Sequence, residues 1–299
     1  MASPKTRSRT HEITLTASVT RSKAGPKGFE DIAKNNRSPR APGASYLFDN
    51  WDQICVRVRA AKTIRLFLDF DGTLVDYRPL PNQVRLSGLA RSALRNLARH
   101  PRVHTAIVSG RRRAELVHFV RVPGIELLGL YGSEDGKKGS GLSARTYAKL
   151  TRARTMLADL QLRLADVWVE EKKISLAVHF RGASAQSQRR ARSFLRAAMA
   201  SLRPELHVIR ARDAWEVVPT LVRGKGAALR SIVERVHTPF LPIFIGDDLT
   251  DEPAFVLLRR GITVLVGDAR RTKARFRLGH PGEVCAFLVR LEEEISRST

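Results

Sequence analysis

Cysteine is almost missing: Cys55 and Cys285 are the only two in 299 residues, far apart and without metal-ligand spacing. That argues against a disulfide scaffold and a thiolate zinc site, and it fits a reducing compartment. Aromatics reach only 6%, and they do not alternate with basic residues as base-stacking surfaces do. No apolar run approaches the ~18 residues of a membrane-spanning helix. The opening "MASPKTRSRTHEITL" has no apolar signal core, so a cytoplasmic protein without membrane contact is expected. Acidic residues are scarce too: 29 Asp and Glu face 53 Lys and Arg, a net charge of +24. Such a surplus attracts anions in general. The arginines are spread over many segments, which, with so few aromatics, argues against a nucleic-acid partner.

What is present is organised. Residues 1–44, rich in Lys, Arg, Ser, Pro, Gly and Asn, read as a disordered basic arm. Tyr46–Ala61 reads as a helix leading onto a core that spans 45–136 and 220–299. From Ile64 strands alternate with amphipathic helices: Ile64–Phe70, a helix carrying Leu86, Leu89, Ala90, Ala93, Leu94 and Leu97, then Val103–Ser109, a helix from Arg111, and a strand near Leu127–Tyr131. The rhythm breaks over 137–219. A long helix, Ser143–Ala165, precedes the short runs "VWVE" and "ISLAVHF"; a helix, Ala185–Ala200, precedes "LHVIR" and "AWEVV". After Gly224 the alternation returns, with strands "LPIFIG" and "GITVLV". The fold class is therefore α/β: a doubly wound parallel sheet interrupted by an α+β cap.

Ligands of such sheets bind beyond the carboxyl ends of the strands. Four strand ends or helix starts there carry reactive groups: Asp69 and Asp71; Ser109, Gly110 and Arg111; Lys225; and "GDDLTDE" from Gly246. Taken singly each is ordinary, a turn, a helix cap or an acidic first helical turn. In this order, each after an apolar strand or at a helix start, they point to phosphoryl transfer. Crowded carboxylates repel unless a cation compensates, and hard oxygens without His or Cys suit Mg²⁺. Asp69 would attack phosphorus and Asp71 would serve as general acid, then base. Backbone N–H groups around Gly72 and Thr73, the Ser109 hydroxyl and Lys225 would hold the phosphoryl oxygens. Asp247 would bind the metal, with Asp248 or Asp251 orienting it. "YGSEDGKK" is not a nucleotide loop, since three residues rather than four separate Gly132 from Gly136.

"LDFDGTL", "IVSGR", "VEEKKISLAVHFR", "WEVVP", "GKGAAL" and "GDDLTDEPAF" together resemble the trehalose-6-phosphate phosphatases of the haloacid dehalogenase superfamily, from about Ile64 to the C-terminus. The resemblance implies Asp69 as nucleophile and Asp71 as acid/base. It places Asp69, Asp71 (by its carbonyl) and Asp247 around Mg²⁺, with Asp248 counted in the metal set. It implies substrate contacts from Glu134, Glu170, Lys172, His179, Arg181 and Glu216, a sugar-phosphate substrate, and association with the trehalose-phosphate synthase as an expected partnership. Two positions depart from the family pattern: Tyr131 stands where histidine is usual, and Phe180 where tyrosine is common. Alternatives are a cap-bearing phosphatase for a sucrose- or mannosyl-type phosphate, a nucleic-acid end phosphatase, and an inactive regulatory domain. Intact Asp69, Asp71, Lys225 and Asp247 argue against the last.

Overall fold

The computed structural model describes residues 43–78, 81–136 and 141–297. The basic arm expected over 1–44 lies outside them except for Gly43 and Ala44, and Ala44 is already buried. The chain runs through β1 (Ser45–Tyr46), α1 (Trp51–Ala60), β2 (Ile64–Leu68), α2 (Gly88–Arg99), β3 (Val103–Val108), α3 (Arg113–Val120) and β4 (Glu126–Leu128). An insert follows: α4 (Ala144–Arg163), β5 (Trp168–Glu171), β6 (Leu176–His179), α5 (Ala185–Leu202), β7 (Leu206–Arg210) and β8 (Ala214–Pro219). The core resumes with α6 (Lys225–Glu234), β9 (Leu241–Gly246), α7 (Glu252–Leu257), β10 (Ile262–Val266), β11 (Phe276–Leu278) and α8 (Pro281–Ser296).

Among the described residues seven strands form one parallel sheet in the order β1-β11-β10-β9-β2-β3-β4. Successive side chains of a strand face opposite ways, and β2 supplies both faces of the core. Leu66 and Leu68 pack with Ala90, Leu94 and Leu97 of α2 and with Leu288 and Leu291 of α8. Phe67, between them, packs with Leu229 and Ile232 of α6 and Phe255 of α7. Burying each such side chain stabilises the fold by about 1.5–3 kcal/mol. Ser87 starts α2 sharply, its hydroxyl accepting from the Ala90 N–H at 3.1 Å.

The insert is a second, antiparallel sheet in the order β5-β6-β8-β7, packed on α4 and α5 through Leu150, Leu157, Leu195 and Met199. The α/β class and the α+β insert expected from the sequence are what the structure has. The helix expected over 46–61 begins instead as an edge strand, because Ser45 and Tyr46 pair with Phe276 and Arg277, and α1 starts only at Trp51. The strand expected near Leu127–Tyr131 stops at Leu128, since Leu130 and Tyr131 both take positive φ (46° and 56°).

The path β2, β3, β4 runs to one edge, whereas β9 returns to the other side of β2. The sheet therefore reverses its winding between β2 and β9, where a crevice opens at the carboxyl ends. Asp69 follows β2 and Asp247 follows β9, and the Leu68↔Ile245 register brings those ends level.

Candidate active site

Asp69 is fixed by β9: its N–H donates to the Ile245 carbonyl at 2.9 Å. Its carboxylate lies 2.7 Å from Lys225 Nζ, which also donates to Asp251 Oδ1 at 2.8 Å. Lys225 opens α6, where the helix dipole disfavours a cation, so the two carboxylates must hold it there. Burial alone would pull the lysine's pKa down, but Asp251 and Asp69 outweigh it and raise it above the ordinary value. Burial pushes Asp69 up to about 7, against the pull of Lys225 and with help from Asp251 and Asp71. Burial, then Asp69 and Asp251, also raises Asp247 well above the carboxylate range.

The oxygens of Asp69, Asp247 and Asp251 lie within 4.8 Å of one another. One ammonium cannot neutralise three buried carboxylates, and Asp247 Oδ1 is buried with no hydrogen-bond partner among the described residues. A hard, all-oxygen donor set with an unused buried lone pair fits Mg²⁺. Gly72 makes this approach possible: its φ is +77°, and a Cβ there would lie 2.3 Å from Asp247 Oδ2.

Several of the residues expected at the site are held by the protein's own groups. Asp248 does not join the acidic cluster, because its carboxylate accepts from the Arg212 N–H of the insert at 3.0 Å; Asp251 takes that place. The Gly72 N–H donates to the Val75 carbonyl at 2.8 Å. Thr73 is fully buried, its hydroxyl unpartnered among the described residues. Glu134 is turned to the start of α3, where Oε2 accepts from the Arg113 N–H at 2.8 Å. Arg111 is 9% exposed and turned toward Asp71. Its guanidinium grips Asp71 with two bonds of 2.7 Å and lies over the rings of Phe70 and Phe119.

The remaining expected residues do converge. A cavity of about 790 Å³ between the two sheets is lined by Asp69, Asp71, Ser109, Gly110, Arg111, Lys225 and Asp247 from the core. From the insert, Glu170, Lys172, His179, Arg181 and Glu216 face it. The β5–β6 register sets Trp168 opposite His179, and their rings stack at 4.5 Å; Glu170, two residues on, accepts from His179 Nε2 at 3.0 Å. Arg181 lies 4.2 Å over the Tyr77 ring, and the Tyr77 hydroxyl donates to Asp247 Oδ2 at 2.9 Å. Tyr77 and Trp168 carry no spacing signal in the sequence, whereas Asp251 lies one helical turn past Asp247 and was legible as one of two choices.

Residues 67–280 match the family model for trehalose-phosphatases. The chain is 37% identical over 254 residues to an uncharacterized glycosyl hydrolase of Mycobacterium tuberculosis, a match covering 79% of this chain and 19% of that protein. It is 34% identical over 257 residues to a trehalose-phosphate phosphatase of Mycobacterium leprae, covering 79% of this chain and 59% of the relative. The chain thus spans less than two thirds of the length of either. The C-terminal domain of the C. albicans trehalose-6-phosphate phosphatase superposes with a TM-score of 0.74 at 21% identity, covering 85% of this chain and 99% of that one. At that identity the likeness is one of fold, the haloacid dehalogenase-like fold. With the family model matched over more than two thirds of its residues, the chain belongs to the trehalose-phosphatase family.

Proposed function

We propose that the protein is a magnesium-dependent phosphatase that hydrolyses trehalose 6-phosphate to trehalose and phosphate. The observation that carries this reading is the buried Asp69–Lys225 pair at 2.7 Å, facing Asp247 at the foot of a cavity whose other wall is the polar insert. Asp69, Asp247 and Asp251 would hold the ion, which supplies positive charge to offset the phosphoryl oxygens and the crowded carboxylates.

The chain's own groups then divide the work. Lys225 Nζ neutralises a phosphoryl oxygen. Ser109 Oγ accepts from the Arg111 N–H at 3.1 Å, which leaves its own proton to donate into the cavity. An Asp69 oxygen bonds to phosphorus as the ester P–O bond breaks, and Asp71 gives its proton to the departing sugar oxygen. Water then attacks phosphorus, losing a proton to Asp71, and the acyl-phosphate bond breaks to return Asp69 and release phosphate. Arg111 keeps Asp71 aimed, and one of its two bonds is given up while Asp71 carries the proton.

The core recognises only a phosphoryl group, so selectivity rests on the insert. Glu170, His179 and Arg181 offer acceptors and donors to hydroxyls that lose water when bound. Phosphate release from a panel of sugar phosphates, with and without magnesium, tests the reading. Trehalose 6-phosphate with magnesium should be the preferred condition, and equal efficiency on glucose 6-phosphate would make this a broad sugar phosphatase instead. Stranding one buried hydroxyl costs about 1–3 kcal/mol, so Glu170→Ala should lower kcat/KM for trehalose 6-phosphate roughly tenfold to a hundredfold more than for p-nitrophenyl phosphate. Equal losses on both esters would remove the insert's assigned role.

A further inference from the structure

Glu216 of β8 is 4% exposed, and three donors converge on it. The Tyr131 hydroxyl donates to Oε2 at 2.8 Å, the Ser175 hydroxyl to Oε1 at 2.6 Å, and Lys172 Nζ lies at 3.2 Å. Three donors on one carboxylate fix its orientation in the cavity wall. Lys172 is the charge it holds, and its ammonium also donates across the seam to the Gly110 carbonyl at 3.3 Å.

Tyr131 is the core's contribution to this cluster, and the core goes to some length to present it. Leu130 and Tyr131 are consecutive non-glycine residues in the left-handed region, a strained arrangement that persists only when its surroundings hold it. Here the surroundings are the site's own loop: the Leu130 N–H donates to the Arg111 carbonyl at 2.7 Å and the Tyr131 N–H to the Ser109 carbonyl at 2.8 Å. The ring fills the space over Gly110, where a Cβ would meet Tyr131 Cζ and the hydroxyl oxygen at 2.9 Å. Ser109, Gly110 and Arg111 are thereby tied to the ring whose hydroxyl reaches the insert.

We propose that Tyr131 is a positioning residue: through Glu216 it sets the Lys172 ammonium at the cavity wall beside Gly110, where Lys172 meets sugar hydroxyls that p-nitrophenyl phosphate lacks. The inference rests on the phosphatase reading for its kinetic test, but not for its structural one.

Tyr131→Phe keeps the ring over Gly110 and removes only the hydroxyl. In the full chain with magnesium, KM for trehalose 6-phosphate should rise about tenfold while kcat changes little, because one buried hydrogen bond acts on binding. The efficiency ratio of trehalose 6-phosphate to p-nitrophenyl phosphate should fall by the same factor. Glu216→Gln should do likewise, and the double variant should be no worse than the poorer single one, as for residues acting in one chain of contacts. Without substrate, amide exchange in the Lys172–Ser175 hairpin, closed by the Lys172 N–H to the Ser175 carbonyl at 2.9 Å, should quicken in Tyr131→Phe. Wild-type KM, equal losses on both esters, or strictly multiplicative effects in the double variant would each overturn the proposal. Should the wild type release phosphate from neither ester, the phosphatase reading falls, and unchanged hairpin exchange in Tyr131→Phe would then overturn the positioning role on its own.

Discussion

Asp69→Asn should release no phosphate from any ester, with or without magnesium. The amide keeps the shape of the side chain but cannot form an acyl-phosphate, so the loss is one of chemistry rather than of fit. Asp71→Asn should be nearly as severe, losing about 10²–10⁴-fold, because the leaving oxygen departs unprotonated and water is left without a base. The two losses differ in kind, and a trapping experiment separates them. Beryllium or aluminium fluoride should bind on Asp69 in the wild type and in Asp71→Asn, but not in Asp69→Asn. Folding is checked by the far-ultraviolet circular dichroism of each variant. Asp251 still holds Lys225 at 2.8 Å when Asp69 is an amide, so the site keeps one ion pair. Wild-type turnover by Asp69→Asn would sink the mechanism.

How far the sequence reaches is visible at single residues. Asp69, Ser109, Lys225 and Asp247 lie far apart in the chain, yet their convergence was legible because the carboxyl ends of parallel strands share one edge. The α+β insert was legible for a similar reason, its short strand pairs following long helices. The choice of partner within a few ångströms was not legible. Asp248 and Asp251 both follow the same strand; Asp251 accepts the N–H groups of Asp247 and Asp248 and pairs with Lys225, while Asp248 accepts from Arg212 of the insert. Glu134 sits where substrate contact was expected, and its carboxylate accepts from the Arg113 N–H at the start of α3. The edge strand β1 has only two residues, too few for any period, and exists because β11 is there to pair with it. Such outcomes are set by tertiary neighbours, which local spacing does not encode.

Lys225→Met should damage both stability and turnover, in amounts that magnesium redistributes. Methionine matches the length of the lysine stem, so packing in α6 changes little while the ammonium disappears. Asp69, Asp247 and Asp251 are then buried together with no cation paired to them among the described residues. Removing one partner of a buried ion pair costs about 3–5 kcal/mol. Turnover should fall about a hundredfold to a thousandfold, as when one preorganised donor to the developing charge is lost. The pH dependence follows from the sign of the shifts. Asp69 is raised to about 7 and Asp247 is raised as well, so without metal the folded state binds more protons than the unfolded chain. Metal-free stability should therefore fall as pH rises from about 4 to about 7. The fall should be steeper in Lys225→Met, where nothing opposes the crowding. Magnesium should stabilise this variant more than the wild type, because there it meets three carboxylates rather than three already sharing an ammonium. Urea unfolding of both proteins at pH 6 and pH 8, in chelator and in magnesium, measures all of this. A variant as stable as the wild type in chelator at pH 8 would show that Lys225 does not hold the acidic cluster together.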